Sequence, residues 1–184
     1  MQLAISNKQI LRIAAPISLA LVIPQINHMT NTAFVGRLGE FDLAVVGIAG
    51  IYYLIMYMIA YGLNSGMQVL IARRAGELNY PGIGKLFSQG FLLSILFSLL
   101  GIMITLSLAP AFFSRSLHSK EIYNSAIAFI RIRIWGLPFL MLTGLSNSFY
   151  IGSNHSKVLI ISSCFQESVN ILFDYLLIFG KWGF

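Results

Sequence analysis

The sequence predicts an all-α fold, a polytopic bundle of membrane-spanning helices, and three observations predict it. Of the 184 residues, 57% are hydrophobic and only 10% charged, where a soluble domain carries about 25% charged residues. The apolar residues fall into five runs, each long enough for the roughly 20 residues a membrane helix needs. Lysines and arginines lie mostly in the short stretches between those runs, where they set topology rather than bind partners. The net charge of +6 therefore does not point to nucleic acid. The expected non-protein surroundings are the lipid bilayer of the cell (inner) membrane.

The first run extends from about 10 to 35. Pro16 and Pro24 should bend it, because each removes a backbone donor and clashes with the preceding turn. Its second half is polar: Gln25, Asn27, His28, Thr30, Asn31 and Thr32. Asn27, His28 and Asn31 share a face with Pro24, and a face of this kind must look into protein or a water-lined interior. Each of these residues has two readings, a contact to a solute in a cavity or interhelical hydrogen bonding. The run follows Lys8 and Arg12 like a signal peptide, but it is too long for one and is read as a retained helix. The glycines of GRLGEFD (36–42) suit a helix end and a turn.

The second run spans about 43–72. Tyr53, Tyr57, Tyr61, Asn64 and Gln68 recur at three- and four-residue spacing and form one stripe. Aromatic stripes serve packing more often than ligand contact, so Tyr53, Tyr57, Tyr61 and Asn64 stand as cavity-lining candidates beside that reading. Gly62 and Gly66 form a small-xxx-small pair that permits close helix approach. ARRAGELNYPGIGK (72–85) reads as a polar loop. The third run, about 86–113, has no charge in its apolar part and reads as scaffold.

The fourth helix spans about 122–152. Arg131 and Arg133 precede its most apolar part and are expected to snorkel to the interface, or alternatively to pair with an acid of the last helix. Pro138 should kink or soften this helix. The fifth run, about 158–180, carries Glu167, Asn170 and Asp174. At ~100° per residue these three fall within ~60° of one another. Each carboxylate costs ~2.5–3.5 kcal/mol near the middle of a bilayer on insertion scales, and intramembrane acids usually mark ion or proton paths. The alternative is that they only cap or pack against neighbouring helices.

Loop cations orient the chain. With the N-terminus inside, Lys8, Arg12, Arg73, Arg74, Lys85 and Lys157 lie inside and Arg37, Arg115, Lys120 and Lys181 outside; counting Arg131 and Arg133 as outer makes the sides equal. The lean is toward a cytoplasmic N-terminus. The first and fifth helices then run the same way, and Asn31 and Asp174 both lie in outward halves, so the two polar faces can meet. Cys164 is the single cysteine, and the three histidines have no metal-ligand spacing. There is no GxSxG or HExxH motif to support hydrolytic chemistry. No enzyme activity, cofactor or metal is expected, apart from a sodium ion in transport.

Three stretches resemble the multidrug and toxic compound extrusion (MATE) family. APISLALVIPQINHMTNTAFVGRLG resembles its first helix, YGLNSGMQVLIARRAGE its second-helix end, and NILFDYLLIFGKWGF its fifth-helix N-I-x-x-D-Y-x-L-I-F-G. The resemblance implies a secondary antiporter that exports small organic, often cationic, drugs or toxins in exchange for Na+ or H+. It also implies five helices of a six-helix N-terminal lobe of a twelve-helix transporter. The C-terminal lobe would be missing, and the chain is expected to be a fragment. Pro16 matches the proline that lets the first helix bend, and Asn170 and Asp174 match the N-lobe cation or proton site. Asn31 stands where the family has an acid, and an amide cannot titrate. Glu167, one turn from Asn170, is the candidate second carboxylate; with Asp174 it could hold a cation or share protonation. Two other readings are a lipid-linked saccharide flippase of the same superfamily and a non-transporting structural membrane fragment.

Overall fold

A computed structural model describes residues 7–180, apart from the side chains of residues 8–10, 12, 13, 16, 20, 21 and 156. Pro16 belongs to that group, so its side chain lies outside the described residues, as do those of Lys8 and Arg12 and the whole of Lys181. The helices are α1 (Asn7–Gly36), α2 (Glu40–Gly76), α3 (Tyr80–Ser116), α4 (Lys120–Arg133), α5 (Leu137–Gly152) and α6 (Ser156–Ile178). A 3₁₀ turn, Ile134–Gly136, joins α4 to α5, so that pair forms one interrupted span and the bundle has five spans' worth of helix. No strand occurs among the described residues.

Among the described residues three helices are long and apolar enough to cross a membrane: Glu40–Gly76, Tyr80–Ser116 and Lys120–Gly152. α1 and α6, whose apolar runs the sequence also reads as spans, are not among these three. The long helices run beyond the apolar runs seen in sequence. At 37 residues each, α2 and α3 are about 55 Å long, well past the ~30 Å hydrocarbon core.

The polar stretch 72–85 is therefore mostly helical, and the turn between α2 and α3 is confined to residues 77–79. Two local devices end and restart the helix there. Arg73 and Arg74 pair with Glu77 at 3.2 and 2.8 Å, holding the last turn of α2. Asn79 then caps α3, its side-chain oxygen accepting from the Gly82 N–H at 2.9 Å, with Pro81 in the first turn, where a missing N–H costs nothing. The Arg74 and Arg73 guanidiniums hold the Glu77 carboxyl below the usual carboxylate range.

Two apolar clusters form the core, and both lie among α2 to α5. One joins Tyr52, Ala109, Phe113, Ile127 and Ile130. The other joins Ala60, Ile102, Ile134, Leu137 and Met141. The 3₁₀ turn follows from Pro138: a proline has no N–H to give the Ile134 carbonyl, and that carbonyl accepts from the Leu137 N–H instead. Close helix approach occurs on α5 and not at the Gly62–Gly66 pair, which meets no neighbour within 4 Å. The buried face of α2 is Ala60, Asn64, Met67 and Ile71, and Gly62 and Gly66 point away from it. Gly144 and Gly152 on α5 admit that face, with an added Cβ at Gly152 meeting the Gln68 carbonyl oxygen at 3.0 Å.

Candidate functional site

Helix α6 packs chiefly against α1, and the short turns make the two run in the same direction. Their polar faces meet. The Asn27 amide nitrogen donates to Glu167 Oε2 and, at 2.9 Å, to Asn170 Oδ1. Asn31 Nδ2 donates to the same Asn170 oxygen at 3.2 Å. Asn27 and Asn31 are four positions apart and Glu167 and Asn170 three, so each pair stacks on one helix face. Glu167 is the most buried carboxylate of the chain's described residues, at 8% exposure.

The donor and acceptor inventory of this cluster does not balance. Asn170 Oδ1 accepts two amide protons, while the amide oxygens of Asn27 and Asn31 are buried with no partner among the described residues. Amide and carboxylate oxygens together are the donor set of a hard cation such as Na+, so the residues present fit a sodium ion or a shared proton.

Toward the C-terminal ends of the two helices an aromatic clasp continues the α1–α6 contact. The Phe34 ring packs edge-on to Phe179 at 5.4 Å between centroids and lies 6.5 Å from Tyr175. Phe34 lies one turn past Asn31, and Tyr175 and Phe179 follow Asp174 on its helix, but no spacing in the sequence pairs these rings across the two helices.

Asp174 is half-buried on α6 and, among the described residues, makes no hydrogen bond. Among the described residues Arg133 forms no ion pair; its guanidinium sits over the Tyr53 ring at 4.8 Å and beside Phe129 at 5.7 Å. Tyr53 and Arg133 each lie thirteen residues into parallel helices that start at Glu40 and Lys120, which places them at one depth.

The remaining candidates scatter. His28 is exposed, and Thr30 and Thr32 satisfy themselves on the carbonyls of Ile26 and His28. Tyr57 and Tyr61 are exposed neighbours with rings 6.2 Å apart. Asn64 does not line an open face: it is 7% exposed between α2 and α5. Its Nδ2 lies 3.5 Å from the Met141 carbonyl, and its own carbonyl accepts from Ser148 Oγ at 2.8 Å. Polarity on the helix marked Asn64, but the partner that claims it is a glycine of α5, which the stripe alone does not reveal. Pro24 lies within α1, which continues through it as helix.

The MatE family model matches residues 16–176. A probable multidrug resistance protein NorM of Shewanella oneidensis is 26% identical over 176 residues, covering 96% of this chain and 38% of that protein. A second protein of the same name, from a Synechocystis species, is 26% identical over 177 residues, with 96% and 38% covered. A multidrug resistance MATE family transporter of the MOP superfamily, solved in an outward-facing conformation, superposes with a TM-score of 0.79 at 25% identity, covering 95% of this chain and 39% of that one. The chain thus spans a little over a third of the length of the relatives it matches. With the matched residues running from the first helix into the last and the same fold in the solved relative, the chain belongs to the multidrug and toxic compound extrusion (MATE) family.

Proposed function

We propose that this chain contributes the N-terminal lobe of a secondary antiporter that exports small organic, often cationic, drugs in exchange for Na+ or H+. In this reading all five helical spans cross the cell (inner) membrane with the N-terminus in the cytoplasm, and a C-terminal lobe completes the cavity. The observation that carries it is the α1–α6 cluster, in which Asn27 and Asn31 meet Glu167 and Asn170 across two parallel helices. A coupling site must link the charge of an ion to the position of a helix, and this cluster joins a buried carboxylate to α1.

The roles divide by chemistry. Asp174 and Glu167 carry the charge, since both change it on protonation and Asn31 does not. Asn170 and Asn31 hold the ion or proton through amide groups. Pro16 and Pro24 supply the weak points at which α1 bends. Tyr53, Tyr57 and Tyr61 offer ring faces to a cationic solute, and the seat of Arg133 on Tyr53 supports that role. His28, exposed beside Asn27, belongs to the same wall.

The test is drug efflux from proteoliposomes holding the full native chain, driven by an imposed Na+ gradient or an imposed pH gradient. One of the two gradients should drive efflux, and Glu167→Gln and Asp174→Asn should uncouple it with protein content unchanged. Gradient-driven efflux at the wild-type rate in both variants refutes the assignment of the α6 carboxylates.

A further inference from the structure

We propose that Arg133 is a specificity-determining residue that binds a carboxylate on the exported solute, while the Tyr57 and Tyr61 rings hold its aromatic body; this rests on reading the chain as a lobe of an antiporter. The Arg133 guanidinium sits over the Tyr53 ring, 4.8 Å from its centre. Tyr53 lies five residues before Met58, the middle residue of α2 (Glu40–Gly76), or about 8 Å along the axis. That depth is inside a ~30 Å hydrocarbon core, so the guanidinium is not drawn out to the interface as the sequence suggests. A charge at this depth faces protein or a water-filled cavity, takes a partner, and marks the path of a solute or ion. Yet Arg133 is exposed, and its N–H groups meet no acceptor and no carboxylate among the described residues. Glu167 is held by Asn27 instead. The missing partner of Arg133 is an anion.

A guanidinium presents a planar fork of N–H donors, which fits a carboxylate through two parallel hydrogen bonds. Lipid phosphates lie at the headgroups, too far out to reach it; a solute in the cavity can. The fork is also held in advance. Tyr53 lies under it and Phe129 beside it at 5.7 Å, and both rings are partly buried. Tyr53 packs against both apolar clusters of the core. Little side-chain freedom is then lost when an anion arrives.

The rest of the strip is aromatic. Tyr57 and Tyr61 follow Tyr53 by one and two turns, about 6 and 12 Å further along α2. Their rings are exposed and 6.2 Å apart. The face of Tyr53 is taken by Arg133, so stacking on a solute falls to Tyr57 and Tyr61. A solute that fills the strip carries a carboxylate at one end and an aromatic body at the other. Arg131 has no part in it: two residues earlier, and so ~200° round α4, it borders the groove beside Thr105 and Ala109 of α3.

The probes are dansylglycine, an aromatic carboxylate, and its uncharged methyl ester. Their fluorescence is titrated with the full native chain in nanodiscs at neutral pH, and the signal of empty nanodiscs is subtracted. The acid should bind about tenfold more tightly than the ester, the scale of a hydrogen bond to a charged group. Arg133→Gln should bring the acid down to the ester and leave the ester unchanged. Arg133→Lys, a point charge without the fork, should keep part of the preference. Equal binding of acid and ester by the wild-type chain, or binding of neither, overturns the inference even if Arg133→Gln fails to fold. So does a preference that survives Arg133→Gln, or a loss there that is the same for both probes, which marks a purely structural contact between cation and rings. Gradient-driven drug efflux in a chain with no preference for the acid sinks the carboxylate seat alone. An Arg133-dependent preference in a chain that no gradient drives sinks the antiporter reading and leaves the seat standing.

Discussion

Replacing Gly144 by alanine should destabilise the bundle through one contact. The new Cβ would lie 2.1 Å from Asn64 Nδ2 and 3.0 Å from its Cγ, more than 1 Å inside ordinary contact for the nitrogen. Asn64 has little room to retreat. It is 7% exposed, and the Ser148 hydroxyl anchors its backbone carbonyl, so the clash must be relieved by the side chain alone within a closed space. Overpacking of this kind costs about 1–3 kcal/mol. At about 2–4 °C per kcal/mol for a chain of this size, the melting temperature in lipid nanodiscs should fall by about 2–12 °C. The hydrogen bond from Asn64 Nδ2 to Met141 is long at 3.5 Å, so its loss adds little. A double-mutant cycle isolates the cause: in an Asn64→Ala background the cavity accepts the methyl group, and the coupling should return about 0.5–3 kcal/mol. A Gly144→Ala protein that melts at or above the wild-type temperature refutes the reasoning, as does a loss that persists undiminished when Asn64 is alanine.

Ser148→Ala removes the hydroxyl that bridges α5 to the Asn64 carbonyl and should cost about 0.6–1.5 kcal/mol in the same melt; no change would mean the bond is made equally well in the unfolded helices. Phe34→Ala strips the aromatic clasp from Tyr175 and Phe179, each ring pair being worth about 0.5–1.5 kcal/mol, and spin labels on the outer ends of α1 and α6 should show the helices parting. Because the Glu77 carboxyl is held below its usual range by Arg74 and Arg73, its stabilisation of the 77–79 turn is present above about pH 4.3 and fades as pH falls through the lower folded value. High salt should mimic that loss in amide exchange of the turn, and Glu77→Gln should abolish both dependences. Leu78 sits at φ 54°, a conformation that costs a side chain about 1–2 kcal/mol, so Leu78→Gly should leave the turn intact and the melting temperature equal or higher.

The sequence carried the stripe on α6 plainly, because three polar residues at helical spacing in an apolar run admit few readings. Asn27 and Asn31 were legible for the same reason. Which of them would touch Glu167 was not, since that depends on how far α1 slides along α6. Helix ends were the poorer part. The polar residues 73–76 read as loop, yet the Glu77 ion pairs and the Asn79 cap carry helix almost to the turn, and charged side chains outside the hydrocarbon core cost a helix nothing. Pro138 announced an interruption, but its extent over Ile134–Gly136 follows from the carbonyl it leaves free. Asn64 was marked by its polarity and misplaced by it, because periodicity shows that a face is shared and not what the face meets. The glycines that admit the buried face of α2 sit on α5, where no motif within α2 could reveal them.

Among the described residues neither apolar cluster of the core draws a member from α1 or α6, and no described side chain of α1 is fully buried. α2 to α5 are thus held to one another by buried apolar side chains, whereas α1 and α6 are held chiefly to each other, by a few amide bonds and one ring clasp. Weakening those contacts should part α1 from α6 before it reaches the close-packed interior, where Leu159 is the one buried apolar side chain of α6 among the described residues.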